Sequence, residues 1–323
     1  MMESEKSKWR MWGRGVAFHV LYGLFYLISL LPMRLLYLFS DLAFVIVYHL
    51  AKYRRGVAEE NLRTSFPEKT PEELRWIERR FYLWFCDYIF ETIKLASMPR
   101  WKMRRRVKFT GLEHIEEALA KGHNVAVYLG HYCNWEWVTS LALHLPEHVF
   151  VGQIYHTQEN SVFNDLLLRI RSRMGSVNIS SKVTLRTVAM QRRAGRPMVI
   201  GFISDQSPIY PATKYWTDFL NHKDSLVITG TEELAKRCDF ACVYFNMRRL
   251  RRGYYQISCE PLAMEPKDYP DYEITEMYVR RFERTIQRQP QYWLWTHNRW
   301  KRTRQGYEEY VKRGGKVEWI PKK

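Results

Sequence analysis

The chain has 323 residues, 46% of them hydrophobic and 15% aromatic, which supplies a sizeable core and excludes a disordered chain. Fifty-one Lys and Arg against 34 Asp and Glu leave a formal charge of +17, spread along the sequence rather than gathered in a tail. Such an excess points to a polyanionic partner: nucleic acid, an anionic membrane surface or a phosphorylated substrate.

At the N-terminus Lys6, Lys8, Arg10 and Arg14 precede an apolar run from Val16 to Leu31, interrupted by His19, Gly23 and Ser29. That run is just long enough to cross a bilayer, which takes about 17–25 residues. It carries no small-x-small cleavage site, so it is expected to anchor rather than to be removed. A second run, Leu35 to Ala51, contains Asp41 and His49 and is expected to lie at the interface or dock on the main domain. Trp9, Trp12, Tyr22, Tyr26, Tyr37 and Tyr48 at the edges favour a membrane interface. The division expected is an anchor over residues 1–52 and one catalytic domain over 53–323, with no repeat or linker inside it.

Beyond the anchor, Thr70-Pro71-Glu72-Glu73 opens a helix with an N-cap, a proline at the first position and a capping box. Leu74, Ile77, Phe81, Trp84, Tyr88 and Leu95 continue it as one apolar stripe. Strands are expected at 125–129, 149–154, 198–203, 241–245 and 255–259, and helices at 136–143, 161–173, 183–194, 229–237 and 272–288. This alternation predicts an α/β fold with a largely parallel central sheet flanked by helices. The five cysteines (86, 133, 238, 242 and 259) are odd in number and form no CxxC, and so read as reduced thiols facing a cytosolic compartment.

Chemistry concentrates at Gly130-His131-Tyr132-Cys133-Asn134-Trp135-Glu136, directly after the first central strand. A five-residue step turns an α-helix by about 140°, so His131 and Glu136 share no regular helical face. With His131 in the turn and Glu136 in the first helical turn, the carboxylate is expected to reach back and fix the imidazole tautomer. Gly130 is expected to leave room for a substrate, with nearby amides or a helix N-terminus holding an oxyanion. No GxSxG elbow is present, so the chemistry indicated is direct transfer, His131 deprotonating an alcohol that attacks a thioester. The pattern His144-Leu145-Pro146-Glu147-His148 matches an inverted zinc-protease motif, but Pro146 breaks the helix it needs, and no metal is expected.

With these residues in view, the sequence resembles the bacterial lipid A late acyltransferases, the lauroyl and myristoyl transferases of the lysophospholipid acyltransferase superfamily. The likeness is carried by Tyr53-Arg54-Arg55 through Asn61-Leu62 to Ser65-Phe66-Pro67-Glu68, by Asp205-Gln206, and by Thr217-Asp218-Phe219 with Thr229-Gly230-Thr231-Glu232-Glu233-Leu234-Ala235. Gln289-Pro290-Gln291-Tyr292-Trp293-Leu294-Trp295-Thr296-His297-Asn298-Arg299-Trp300 resembles the family's C-terminal signature. The resemblance implies a glycerolphosphate-acyltransferase-like fold and an inner-membrane enzyme on the cytoplasmic face. It further implies an acyl-carrier-protein thioester as donor, a phosphorylated glycolipid hydroxyl as acceptor, and no cofactor. His131 and Glu136 would then be catalytic, Arg171, Arg173, Asp205 and Gln206 substrate-binding, and Gly130 part of the oxyanion turn.

Cys133 stands where relatives written His-x-Gly-Asn-Trp-Glu have glycine. Tyr155-His156 stands for Tyr-Arg-Pro, and Asp218-Phe219-Leu220-Asn221 for Phe-Phe-Gly. Two alternatives stay open on the residues alone: the same chemistry on a phosphoinositol mannoside or aminoacyl lipid, and a non-catalytic basic protein binding a membrane surface or nucleic acid. No nucleic-acid motif is visible.

Overall fold

The computed structural model describes residues 2–316, with side chains described from residue 15. The roles expected of Lys6, Lys8, Arg10, Arg14, Trp9 and Trp12 therefore lie outside the described side chains. In chain order the elements are α1 (Met2–Leu30), α2 (Met33–Phe44), α3 (Arg55–Ser65), α4 (Pro71–Leu95), α5 (Arg100–Arg106), β1 (Val107–Thr110), α6 (Leu112–Ala120) and β2 (Asn124–Leu129). There follow a 3-10 helix (Trp135–Leu143), β3 (Phe150–Tyr155), α7 (Ser161–Arg171), β4 (Val177–Ser180), α8 (Thr184–Arg193) and β5 (Met198–Ile203). The chain closes with β6 (Trp216–Phe219), β7 (His222–Leu226), α9 (Gly230–Cys238), β8 (Phe240–Arg251), β9 (Tyr254–Ala263), α10 (Glu273–Arg288) and α11 (Arg304–Lys312).

Seven strands form one sheet in the order β1-β9-β8-β2-β5-β3-β4. From β8 to β4 every pairing is parallel; β9 turns back antiparallel on β8, and β1 runs parallel to β9. The expected α/β architecture is borne out. β2, β5 and β8 read as near-continuous apolar runs because helices cover both faces of such a sheet. The short strands β1 and β4 carry no comparable run, and β6 with β7 forms a separate hairpin.

The N-terminal expectation needs one correction. Within the described part of α1 the apolar stretch is Gly15–Leu30, whereas α2 runs without a break into a π-helical turn, Val45–Leu50. Among the described residues Met33–Leu50 is thereby the helix long and apolar enough to cross a membrane by length and composition. Both helices lie against α4: Lys94 donates to the carbonyls of Ser29 and Leu31 at the end of α1 (2.6 and 3.0 Å), and Ser40 of α2 donates to Asp87 (2.7 Å). α4 begins with the expected capping box, Thr70 and Glu73 each accepting from the other's backbone N–H.

Candidate active site

β2 and β5 are parallel neighbours, with Leu129 opposite Ile203. The Ser204 amide donates to the Leu129 carbonyl at 3.1 Å and carries the ladder past the last paired residues. Two residues beyond those strand ends stand His131 and Asp205, so register alone brings their side chains together at the carboxyl edge of the sheet. That edge is where open parallel sheets place ligands.

Asp205 is 2% exposed at its side chain and His131 21%. The carboxylate meets three donors: His131 Nδ1 at 2.8 Å, the His131 backbone N–H at 3.0 Å and the Trp293 indole N–H at 2.8 Å. Burial by itself would raise the Asp205 pKa; the facing His131 and the donated hydrogen bonds outweigh it and hold the group at about 2. Asp205 is therefore an acceptor throughout the neutral range, and the His131 Nδ1 that faces it is a donor. Nε2 lies 3.5 Å from the Gln206 side-chain amide. The Trp135 ring stands edge-on to the imidazole, centroids 5.1 Å apart.

Glu136 occupies the turn expected for it but does not make the expected contact with the imidazole. It sits in the first turn of the 3-10 helix, but no hydrogen bond or ion pair joins it to His131. Both its oxygens accept from Arg171, from Nε and Nη2 at 2.6 Å each, and Tyr88 donates to Oε1 at 3.3 Å. The ordering partner of the imidazole is Asp205, because the adjacent strand delivers a carboxylate to Nδ1 while the short 3-10 turn carries Glu136 toward α7. Arg171, expected to clamp an oxyanion or phosphate, spends this fork on Glu136. Removing either partner of such a buried pair leaves a stranded charge, at a cost of about 3–5 kcal/mol. Arg173 is exposed and joins neither pair.

The turn itself is corrected in two respects. A Cβ on Gly130 would come within 2.2 Å of the Phe282 ring of α10, so the bare face of the glycine is filled by the core and gives no room to a substrate. The amides of His131, Tyr132 and Cys133 donate to Asp205, Gly130 and Tyr292 respectively, so these three are already satisfied and offer nothing to an oxyanion.

The C-terminal segment closes the site from behind, a function its tryptophan-rich sequence did not disclose. Besides Trp293 on the carboxylate, the fully buried Arg299 donates from Nε to the Asp205 carbonyl (2.8 Å) and from Nη2 to the Leu226 carbonyl (2.5 Å). Burial lowers its pKa to about 10. Asn61 of α3 donates to the carbonyls of Trp295 and His297 at 2.8 and 2.9 Å, and Arg54 to that of Thr296 at 3.2 Å. Among the described residues no group of three or more His, Cys, Asp or Glu converges to hold a metal ion.

The bacterial lipid A biosynthesis acyltransferase family matches residues 2–302. A lipid A biosynthesis acyltransferase of Haemophilus influenzae is 22% identical over 276 residues, 84% of each chain. A lipid A biosynthesis lauroyltransferase of Escherichia coli is 23% identical over 300 residues, 87% of this chain and 94% of the relative.

Proposed function

This chain belongs to the bacterial lipid A biosynthesis acyltransferase family, and on that premise we propose that it moves a fatty acyl chain from an acyl-carrier-protein thioester to a hydroxyl of a phosphorylated lipid A precursor. The observation that carries the reading is the His131–Asp205 pair at the ends of β2 and β5, with Nε2 on the far side of the ring at a long 3.5 Å from the Gln206 amide. Asp205 holds the Nδ1–H tautomer. His131 Nε2 takes the proton of the acceptor hydroxyl as its oxygen bonds to the thioester carbonyl carbon. The tetrahedral oxyanion collapses, the C–S bond breaks, and the proton passes from His131 to the leaving thiolate. Gln206 is assigned the donor nearest the reacting nitrogen. Glu136 acts through Arg171, bracing the 3-10 turn against α7.

The enzyme is assigned to the cytoplasmic face of the inner membrane, with residues 1–52 as anchor and 53–323 as catalytic domain. The exposed apolar side chains of α1 and α2 (Val20, Leu24, Leu27, Leu38 and Leu42) support this, and the net charge suits both an acidic carrier protein and a phosphorylated acceptor.

The test is transfer by the purified full-length protein from acyl-carrier-protein donors to a lipid A precursor. H131A should lose at least about 10³-fold in rate, and D205N about 10²–10⁴-fold through the wrong tautomer, with binding of both substrates retained. Near-wild-type transfer by H131A would end the mechanism, and no transfer by the wild type would end the assignment.

A further inference from the structure

Behind the site, a groove of about 400 Å³ opens between α2, α4 and the turn joining β8 to β9. Its walls carry four arginines, Arg80, Arg249, Arg251 and Arg252, against two carboxylates, Asp41 and Asp87. Both carboxylates are already committed. Asp87 accepts from Arg249 (2.7 Å) and Arg252 (2.5 Å), and Asp41 from Arg252 (2.6 Å). Arg80 and Arg251 are exposed and meet the rings of Trp76 and Tyr254, at 5.3 and 3.9 Å, with no carboxylate of the described residues within salt-bridge distance. The groove thus holds an excess of two positive charges, and its two unspent forks belong to the residue type best matched to phosphate oxygens. Glu91, behind this network, is fully buried, accepts from Tyr37, Asn134 and Tyr255, and has its pKa raised by burial.

Two further features bear on what brings the phosphate. Leu250 on the groove wall is 53% exposed, and α2, which supplies Asp41 to the groove, exposes the apolar side chains of Leu38 and Leu42 (63% and 58%). Its inner wall includes Trp84 and Tyr292, and Trp84 lies 6.1 Å from Trp135, the ring that meets His131. We propose that this groove binds the phosphate of a lipid headgroup, that of the membrane-borne acceptor when its hydroxyl is at His131. The identity of the acceptor rests on the function proposed above; the headgroup site does not.

The full-length protein is compared with R80Q/R251Q, which alters two exposed side chains, and with R186Q/R193Q, which removes equal charge elsewhere. Flotation with phosphatidylcholine vesicles, with and without phosphatidic acid, is the first arm. R80Q/R251Q should lose roughly tenfold or more of the phosphatidic-acid-dependent binding, and R186Q/R193Q should not. In transfer assays R80Q/R251Q should raise KM for a phosphorylated glycolipid acceptor with kcat unchanged, and match the wild type on the dephosphorylated acceptor. Flotation of R80Q/R251Q like the wild type, or an equal loss in R186Q/R193Q, overturns the proposal. So does calorimetric binding of inorganic phosphate that depends on Arg80 and Arg251 while phosphatidic acid makes no difference, since the site then serves free phosphate. If the vesicle arm holds but the wild type transfers no acyl chain, the headgroup site stands and the proposed function falls.

Discussion

Cys133 holds a φ of +52°, the left-handed region that glycine enters freely and other L-residues enter at a cost of about 1–2 kcal/mol. A glycine would take this conformation without strain; in its place this chain has a thiol that is fully buried within the core. Burial drives its pKa well above the usual thiol value, which disfavours the thiolate that a nucleophile two residues from His131 would need. C133G should keep a transfer rate within about twofold of the wild type and shift stability by no more than about 1 kcal/mol, strain relief offsetting lost packing. Assay and thermal unfolding check this; abolished transfer would give the thiol a role. Leu220 and Asn221, the last two residues of the Asp218-Phe219-Leu220-Asn221 stretch noted above, take φ of +48° and +61° and form the two-residue turn of the β6–β7 hairpin. Residue identities flagged both departures, but their backbone conformation had to be seen.

Among the elements, α4 was legible from end to end, because capping box, first-turn proline and apolar stripe are all local signals. α10 shows the opposite. Tyr272 at its N-terminus gives no side-chain cap, and the capping acceptor is Glu232 of α9, which takes the amides of Tyr272 (2.7 Å) and Thr275 (2.8 Å) and the Thr275 hydroxyl (2.6 Å). Forty residues separate donor and acceptor, and no periodicity encodes that. The same helix presses Phe282 onto Gly130, tying the sheet edge to the helix layer. G130A should cost about 1–3 kcal/mol by overpacking, and F282L in the same chain should recover part of it. Urea unfolding midpoints measure both; a G130A variant as stable as the wild type would mean the contact is slack.

Over the whole molecule, the segment 289–300 couples distant parts: Trp293 and Arg299 reach Asp205, Trp300 stacks on His222 with ring centroids 3.7 Å apart, and α3 holds the carbonyls of Trp295 and His297. Burial lowers His222 and His297 from the ordinary value of 6.5 to about 4, with nearby Arg299 adding to both. Between pH 6.5 and 4 the unfolded chain therefore binds more protons than the folded one, and stability is full above about 6.5 and falls as the pH drops toward 4. Asp205, held at about 2, keeps its contribution through that window. The midpoint of thermal unfolding should decline over this range, and H222Q/H297Q should flatten the decline; a wild-type midpoint that ignores pH there would refute the coupling.

By itself the sequence determined the order and type of the main elements, the α/β class and the family, all of which rest on local periodicity and on residues adjacent in the chain. Only the tertiary structure decided which carboxylate serves the imidazole. Glu136, five positions away, was the local choice; Asp205, 74 positions away, is the partner, because the parallel register of β2 and β5 puts the two strand ends side by side. A strand's neighbour is set by the packing of the whole sheet, and no spacing along the chain records it.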